Sequence, residues 1–265
     1  MMEQAIHKVV IIGCGNVAWH LALKLRKQKN IQLFIYNHKA NNDLTTIKNE
    51  LGISAFSNLN TVIKDADAYF ICVSDSAIES VAKKINYLPT SANLFITSGN
   101  FDLTKLNKRW KNTSIFYPLQ TFSKNDEIKW KDISIIIEPS NASTEIKVIT
   151  YAKIFTDDIL KLKYQQRLKL HLCAVLVNNF TNSLYVEADK LMKSVRKDLN
   201  IKTLYPLIKQ GTKKIKYLTP LEAQTGPAKR KDKDVIEKHL SLLKSNKDLV
   251  QLYTLFTQLI QTQQK

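Results

Sequence analysis

The glycine-rich segment near the N-terminus is the pattern in this sequence with the clearest chemistry. It reads Gly13-Cys14-Gly15-Asn16-Val17-Ala18, a GxGxxA pattern that directly follows the apolar run Val9–Ile12. In such a pattern the first glycine allows a tight turn out of a strand, the second lets the backbone approach a pyrophosphate, and the alanine permits close helix packing. N–H groups at the start of the following helix would bind the phosphates. The segment predicts a dinucleotide-binding turn; a tight strand–helix turn without a ligand is the alternative.

A second candidate contact to the cofactor follows the next predicted strand, Ile31–Tyr36. There Asn37, His38 and Lys39 occupy the region in which NAD enzymes place an acidic residue on the ribose 2′-hydroxyl. No carboxylate is present, and His38 and Lys39 would pair with a 2′-phosphate. The sequence therefore favours NADP over NAD, although an ordinary basic loop in a lysine-rich chain would give the same pattern.

Two further predicted strand ends carry polar side chains. Val73 is followed by Ser74 and Asp75, and Thr97 is followed by Ser98. Ligands of open α/β sheets lie outside the carboxyl ends of the strands, so Ser74 and Asp75 are candidates for the cofactor and Ser98 for the substrate. Helix capping explains the same residues equally well. The segment at residues 117–122, YPLQTF, could line a cleft, but by composition alone a rigid loop is the favoured interpretation.

The long apolar stretch in the second half of the chain contains a polar stripe. His171, Asn178 and Asn179 are spaced i, i+7 and i+8, which places them on one face of a helix. A histidine exchanges protons near neutral pH, so His171 is the candidate proton donor or acceptor, and Asn179 is a candidate for holding polar groups of the substrate. Buried structural roles for these residues are the alternative.

The elements that would position these residues fall into two regions. Eight short apolar runs predict strands, at residues 9–12, 31–36, 53–56, 68–73, 94–97, 114–116, 133–137 and 159–162. Helical spacing lies between them at residues 17–27, 77–85 and 144–155. This alternation predicts an α/β domain at residues 1–163 with a doubly wound, mainly parallel sheet.

The second region predicts an all-helical domain at residues 164–265. Its helical segments are residues 165–192, 203–215, 232–243 and 248–261. The boundary contains no linker, so we expect the two domains to share a cleft. The apolar helix at residues 165–192 needs cover from several sides, which predicts a homodimer formed through this domain.

Composition excludes several other classes of protein. The chain of 265 residues has a net charge of +17, but only five of its 40 basic residues are arginine, the residue that reads bases. Its three cysteines are widely spaced, which argues against a disulfide framework or a zinc site. No apolar run has the roughly 18–20 residues of a membrane span, and the N-terminus lacks a signal-peptide pattern. We therefore predict a cytoplasmic protein that binds no membrane, and the shortage of arginine favours solvated lysines over a nucleic-acid-binding surface.

Four segments, taken together, resemble a known family. The sequences GCGNVAWHLA, YPLQTF, HLCAVLVNNFTNSLY and LTPLEAQTGPAKRKD occur in the order found in Rossmann-like proteins with a C-terminal DUF2520 domain. More distantly, the architecture is similar to pyrroline-5-carboxylate reductase, β-hydroxyacid dehydrogenases and F420-dependent NADP oxidoreductase. The resemblance implies a Rossmann domain, a helical dimer-forming domain and an active site between them. It also implies that His171 and Asn179 approach the nicotinamide.

The sequence departs from the related families at two positions. The DUF2520 segment usually reads HPLQ, and here Tyr117 replaces the histidine. β-Hydroxyacid dehydrogenases use a lysine on the helix that here carries His171. The leading hypothesis is an NADP-dependent oxidoreductase that transfers a hydride between nicotinamide and a small substrate, with a deazaflavin left open as a second redox partner. A non-catalytic dinucleotide sensor is the alternative, and a nucleic-acid-binding protein is the third hypothesis.

Overall fold

The structure, a computed structural model, describes residues 7–263 of the chain. These residues form two compact units, one ending at Asn179 and the other beginning at Phe180. The predicted division after residue 163 falls at the start of the first helix beyond the sheet, and contacts group that helix with the first unit. Within the described residues, no helix is long and apolar enough to cross a bilayer.

The first unit is built on one eight-stranded sheet. Its strands are β1 (His7–Ile12), β2 (Ile31–Tyr36), β3 (Ser54–Phe56), β4 (Ala68–Ile71), β5 (Asn93–Ile96), β6 (Asn112–Pro118), β7 (Ile135–Pro139) and β8 (Ile159–Lys161). They lie in the order β3-β2-β1-β4-β5-β6-β7-β8, and only the β6–β7 pair is antiparallel. The strand order reverses between β1 and β4, and doubly wound folds bind ligands at such a point. The predicted fold class is therefore confirmed.

Both faces of the sheet are covered, which explains the continuous apolar runs in its strands. Successive side chains of a strand point to opposite faces. In β1, Val9 and Ile11 pack into one buried cluster, whereas Val10 and Ile12 pack into the other. All eight predicted strands are present, with ends shifted by at most two residues.

Five helices follow strands of the first unit. They are α1 (Asn16–Leu25), α2 (Asn42–Leu51), α3 (Asp75–Lys84), α4 (Ala142–Ala152) and α5 (Tyr164–Ala174). Helix α2 was not predicted, because its sequence is mostly polar. It begins at Asn41, whose side chain accepts from the Leu44 N–H, and ends at Gly52 in the left-handed conformation. A cap and a terminating glycine thus define a helix that periodicity alone did not reveal.

The predicted continuous helix over residues 165–192 is wrong in one respect. After α5, the residues Val175–Phe180 form a π-helical turn, and α6 (Thr181–Val195) follows it. A π turn needs neither proline nor glycine, so the absence of these helix breakers did not indicate it. Such turns are frequent at functional sites, and this one contains Asn178 and Asn179.

The second unit is helical throughout its described residues, as predicted. Besides α6 it contains α7 (Tyr205–Lys214), α8 (Pro220–Ala223), α9 (Pro227–Arg230), α10 (Lys233–Leu243) and α11 (Lys247–Gln263). Of its described residues only Ala228 is buried. Large apolar side chains such as Leu207 and Leu242 are 69% and 79% exposed. The unit therefore exposes large apolar side chains on several of its helices.

Candidate functional site

A tight turn between β1 and α1 carries the glycine pattern. Gly13 has φ +115°, and a Cβ atom there would lie 2.1 Å from the Cys72 carbonyl oxygen, so no side chain fits. The Gly13 N–H donates to the Tyr36 carbonyl at 2.8 Å, which fixes the turn against β2. At Gly15, by contrast, a Cβ atom would meet no described atom within 4 Å. The space above Gly15 is open to a ligand.

The N-terminus of α1 directs backbone N–H groups at this space. Its N-cap is Gly15, which makes no side-chain capping bond, and the first turn contains no acidic residue. An anion placed there would accept hydrogen bonds from the first turn and would be stabilised by the helix dipole. Ala18 is fully buried and lets α1 pack closely on the sheet. The arrangement fits a pyrophosphate.

The side chain of Asn16 has a different role from the backbone around it. Its amide donates to the Phe122 carbonyl at 2.8 Å. One turn further along α1, the buried His20 ring contacts the Ser123 carbonyl through Nε2 at 2.7 Å. Together Asn16 and His20 attach the segment after β6 to the helix that begins at the glycine turn.

One cavity of about 580 Å³ contains most of the predicted cofactor residues. Those that line it are Gly13, Gly15, Asn16, Val17, Asn37, His38 and Ser74. Ala18, Lys39 and Asp75 are not part of its lining. The volume lies in the range of small-molecule and cofactor sites.

The end of β2 closes one side of this cavity. Asn37 is buried, and its side-chain amide donates to the Lys39 carbonyl at 2.9 Å, which holds the loop in place. His38 lines the cavity and Lys39 does not, although both residues are exposed. Asn41 also lines the cavity and accepts a bond from the Cys14 thiol at 3.5 Å.

Helix α3 forms the opposite side. Ser74 is its N-cap, and Ala77, Ser80, Val81 and Lys84 follow along one face. Lys84 contributes a basic side chain to the lining, and none of the described residues that line the cavity is acidic. The cavity therefore favours an anionic ligand, and the sequence analysis did not identify Lys84 or Asn41.

A tyrosine–histidine pair lies at the carboxyl ends of β5 and β6. The Tyr117 hydroxyl and His171 Nδ1 are 3.2 Å apart, and the two rings pack edge to face with centroids 6.0 Å apart. Burial raises the pKa of Tyr117, so its hydroxyl stays protonated. Gly99 packs directly against both rings. A Cβ at this position would lie 2.7 Å from the Tyr117 ring and 3.0 Å from His171 Nδ1, so a side chain does not fit there.

Arg167 holds the helix that carries His171. Its side chain is fully buried and donates to the Gly99 carbonyl at 2.8 Å and to the Phe101 carbonyl at 2.8 Å. It also donates to the Glu138 carboxylate from Nε and Nη2, at 3.1 Å and 2.7 Å. The guanidinium is thus committed to the protein and fixes α5 on the turn after β5.

Ser98 supports the same turn. Its hydroxyl oxygen accepts from the N–H groups of Asn100 and Phe101, at 3.1 Å and 2.9 Å, and the residue is buried. The structure therefore places Ser98 behind Gly99, where it shapes the backbone on which Tyr117 and His171 rest.

An open depression of about 510 Å³ collects the other predicted residues. His171, Asn178 and Asn179 line it together with Tyr117. The segment after β6 contributes further lining residues, namely Leu119, Gln120 and Thr121. The structure thus brings the predicted polar stripe together with the YPLQTF segment. The depression combines hydrogen-bonding groups with apolar walls.

The cysteines differ in their surroundings. Cys14 lies in the glycine turn, where burial raises the pKa of its thiol, and burial raises the pKa of Cys72 to about 12. Cys173 is exposed. Within residues 7–263, no group of three or more His, Cys, Asp or Glu side chains is arranged to hold a metal ion.

Two family descriptions match the sequence. Residues 8–98 match the family "NADP oxidoreductase coenzyme F420-dependent", and residues 133–260 match the domain of unknown function DUF2520. Among curated proteins, none matches the chain.

Three solved structures are similar to this chain over almost its whole length. A Bacteroides fragilis protein named "putative NADP oxidoreductase" is 29% identical, covers 97% of this chain and 98% of its own, and superposes with a TM-score of 0.89. A Thermotoga maritima protein is 20% identical over 97% and 98% of the two chains, with a TM-score of 0.72. Plasmodium falciparum pyrroline carboxylate reductase with NADP bound is 14% identical over 98% of each chain, with a TM-score of 0.58. The last two show the fold alone. The similarity to the Bacteroides protein and the family match at residues 8–98 support an oxidoreductase with a nicotinamide dinucleotide cofactor.

Proposed function

We propose that this chain, a Rossmann-like protein with a C-terminal DUF2520 domain, is an NADP-dependent oxidoreductase. The observation that carries the proposal is the open space above Gly15, at the uncapped N-terminus of α1. It lies in a cavity whose lining contains Lys84 and His38. Reduced nicotinamide, when bound, supplies a hydride to a substrate carbon, and the protein supplies binding, orientation and a proton.

We assign each part of the dinucleotide to a region of this cavity. The first turn of α1 and the backbone at Gly15 would hold the pyrophosphate. The apolar side of α3, with Ala77 and Val81, offers a surface for the adenine ring. His38 and Asn41 lie at the end of β2, where the adenosine ribose is held in such folds.

Preference for NADP follows from charge. No carboxylate lines the cavity among the described residues, so the ribose 2′-hydroxyl lacks its usual acidic acceptor. Cationic groups would instead pair with a 2′-phosphate, and His38 is best placed among the predicted residues to do so. Lys39 is exposed near the same loop and would add to the positive field.

Proton transfer is assigned to His171, which lines the depression beside Tyr117. Asn179 would hold a polar group of a small substrate in the same depression. Ser98 contributes by holding the turn that carries Gly99, since its oxygen already accepts two backbone N–H groups. The substrate is placed by these assignments at the carboxyl ends of β5 and β6.

A calorimetric titration of the purified protein with NADP⁺, NADPH, NAD⁺ and NADH tests the proposal. We expect dissociation constants of about micromolar order for the phosphorylated pair and weaker binding of the other two. Equal affinities would overturn the NADP preference and leave the dinucleotide site standing. Failure of all four to bind would overturn the oxidoreductase assignment.

A homodimer formed through the second unit completes the proposal. Its support is the exposed apolar surface of that unit, which includes Val195, Leu207 and Leu242. Large exposed apolar patches often mark protein–protein interfaces. Light scattering coupled to gel filtration should give twice the 30.4 kDa of one chain. A monomeric mass at micromolar concentration would contradict it.

A further inference from the structure

We propose that Tyr117 is a positioning residue that holds His171 through Nδ1 and leaves Nε2 as the ring nitrogen that exchanges protons with the substrate. The inference rests on the proposed function, because it concerns the proton that accompanies hydride transfer. Its basis is the contact of 3.2 Å between the Tyr117 hydroxyl and His171 Nδ1. Among the residues that the structure describes, no hydrogen-bond partner is found for Nε2.

A hydroxyl group suits this position better than a carboxylate would. A carboxylate would stabilise the charged imidazolium. The Tyr117 hydroxyl donates to a bare Nδ1 and accepts from a protonated one, so the contact survives both protonation states of His171.

The surroundings keep Tyr117 in its neutral form. Burial raises the pKa of Tyr117, and Asp75 at the start of α3 raises it further, while the Arg167 guanidinium lowers it. The net direction is upward, so the phenol remains protonated where a histidine titrates. Arg167 is also paired with Glu138, at 2.7 Å between Nη2 and Oε2.

The backbone fixes the pair from behind. Gly99 leaves no room for a side chain between the turn and the two rings, since a Cβ would lie 2.7 Å from Tyr117 and 3.0 Å from His171. Arg167, one helical turn before His171, binds the Gly99 carbonyl at 2.8 Å. The two rings are therefore positioned by neighbours that make no use of Nε2.

The proton balance follows from this arrangement. During reduction of a carbonyl or imine, the substrate carbon accepts the hydride and its double-bond electron pair moves to oxygen or nitrogen. That atom takes the proton from Nε2 of the His171 imidazolium. Neutral His171 remains with its proton on Nδ1, donating to the Tyr117 oxygen, and solvent then restores the proton at Nε2. Tyr117 is never ionised.

Nitrogen-15 NMR of the full chain with labelled histidine tests the inference. The variant Tyr117→Phe keeps the ring and removes the hydroxyl. We expect it to shift the Nδ1 resonance of His171 strongly and the Nε2 resonance little, in free and NADP⁺-saturated protein. The matched control is Tyr253→Phe, because the Tyr253 hydroxyl contacts Nδ1 of His239 at 2.8 Å. That variant should shift His239 and leave His171 unchanged.

The outcomes separate the inference from the function on which it rests. An Nδ1 resonance of His171 that is the same in wild type and Tyr117→Phe overturns the inference, whereas unchanged NADP⁺ binding in both proteins keeps the proposed function. If the wild type does not bind NADP⁺, the proposed function is overturned whatever the NMR result.

Kinetics give a second test. With a carbonyl compound that the protein turns over, Tyr117→Phe should lower kcat about tenfold or more, displace the pH profile of kcat and leave KM nearly unchanged. An unaltered pH profile contradicts the role of Tyr117.

Discussion

Arg167 and Glu138 form an ion pair in which both oxygens of the carboxylate are used. The fully buried guanidinium donates to Oε2 at 2.7 Å, and Oε1 accepts from the N–H of Tyr164 at 2.9 Å, in the first turn of α5. One acidic side chain at the end of β7 thereby orients the helix and its arginine. Because Arg167 also binds the turn after β5, the pair fixes the position of His171 relative to the sheet.

Replacing Arg167 should destabilise the protein strongly. Arg167→Ala removes the guanidinium from Glu138 Oε2 and from the carbonyls of Gly99 and Phe101. Removing one member of a buried pair costs about 3–5 kcal/mol. Because the Glu138 side chain is 23% exposed and keeps the Tyr164 N–H, we expect a loss in the free energy of unfolding at the lower end of that range. Urea denaturation followed by circular dichroism measures it.

The control for this substitution is an exposed arginine. Arg196 pairs with Asp198, and their side chains are 67% and 69% exposed. Surface pairs contribute about 0–1 kcal/mol, so Arg196→Ala should change the free energy of unfolding very little. Equal losses in the two variants would show that Arg167 does not hold α5.

Gly15→Ala should separate ligand binding from folding. A methyl group at Gly15 meets no atom within 4 Å, so the free energy of unfolding should change by less than about 0.5 kcal/mol. The same methyl group occupies the space assigned to the pyrophosphate. We expect NADP⁺ affinity to fall about tenfold or more, because charge-assisted hydrogen bonds to the first turn of α1 are lost. Calorimetry measures the affinity.

Gly211→Ala serves as the control for the glycine variant. Gly211 lies within α7, and a Cβ there also meets no atom within 4 Å. We expect unchanged NADP⁺ affinity and a slightly higher free energy of unfolding, since alanine favours the helix. If Gly15→Ala also binds NADP⁺ as the wild type does, the cofactor does not lie above the glycine turn.

The sequence was sufficient for features that depend on local pattern. The glycine turn between β1 and α1 follows from six consecutive residues, and the strands follow from apolar runs that are buried on both faces. Helix α2 was missed because it buries only Leu44, Ile47 and Leu51, so its stripe is weak. The π turn at Val175–Phe180 was missed because nothing in the residue types requires it.

Long-range pairs were beyond local reasoning. Tyr117 and His171 are separated by 54 positions, and only the fold brings the end of β6 to α5. Arg167 and Glu138 lie 29 positions apart. A signal for Arg167 did exist, because arginine is rare in this lysine-rich chain and is preferred for buried ion pairs. Lys84 gave no comparable signal among the many lysines.

The two lysines at the end of α3 offer a direct test of the cavity. Lys84 lines the cofactor cavity, whereas Lys83 does not. We expect Lys84→Met to weaken NADP⁺ binding about threefold to tenfold, because a cation is lost from the lining of the cavity. Lys83→Met removes the same charge one residue away and should leave binding nearly unchanged. Equal weakening by both variants would mean that only the general positive field matters.

Alkylation of the cysteines should report on the glycine turn. Cys14 is 6% exposed and burial raises the pKa of its thiol, so at pH 7 it is almost entirely protonated and unreactive. Cys173 is exposed and should react first with iodoacetamide. Raising the pH towards the pKa of Cys14 should accelerate its reaction, because the thiolate is the nucleophile.

The variant Cys173→Ser isolates the reaction of Cys14. Peptide mass spectrometry should find slow modification of Cys14, and saturating NADP⁺ should slow it further, since Cys14 lines the cavity. Rapid modification at pH 7, or no protection by NADP⁺, would contradict the buried thiol or the assigned cofactor position respectively.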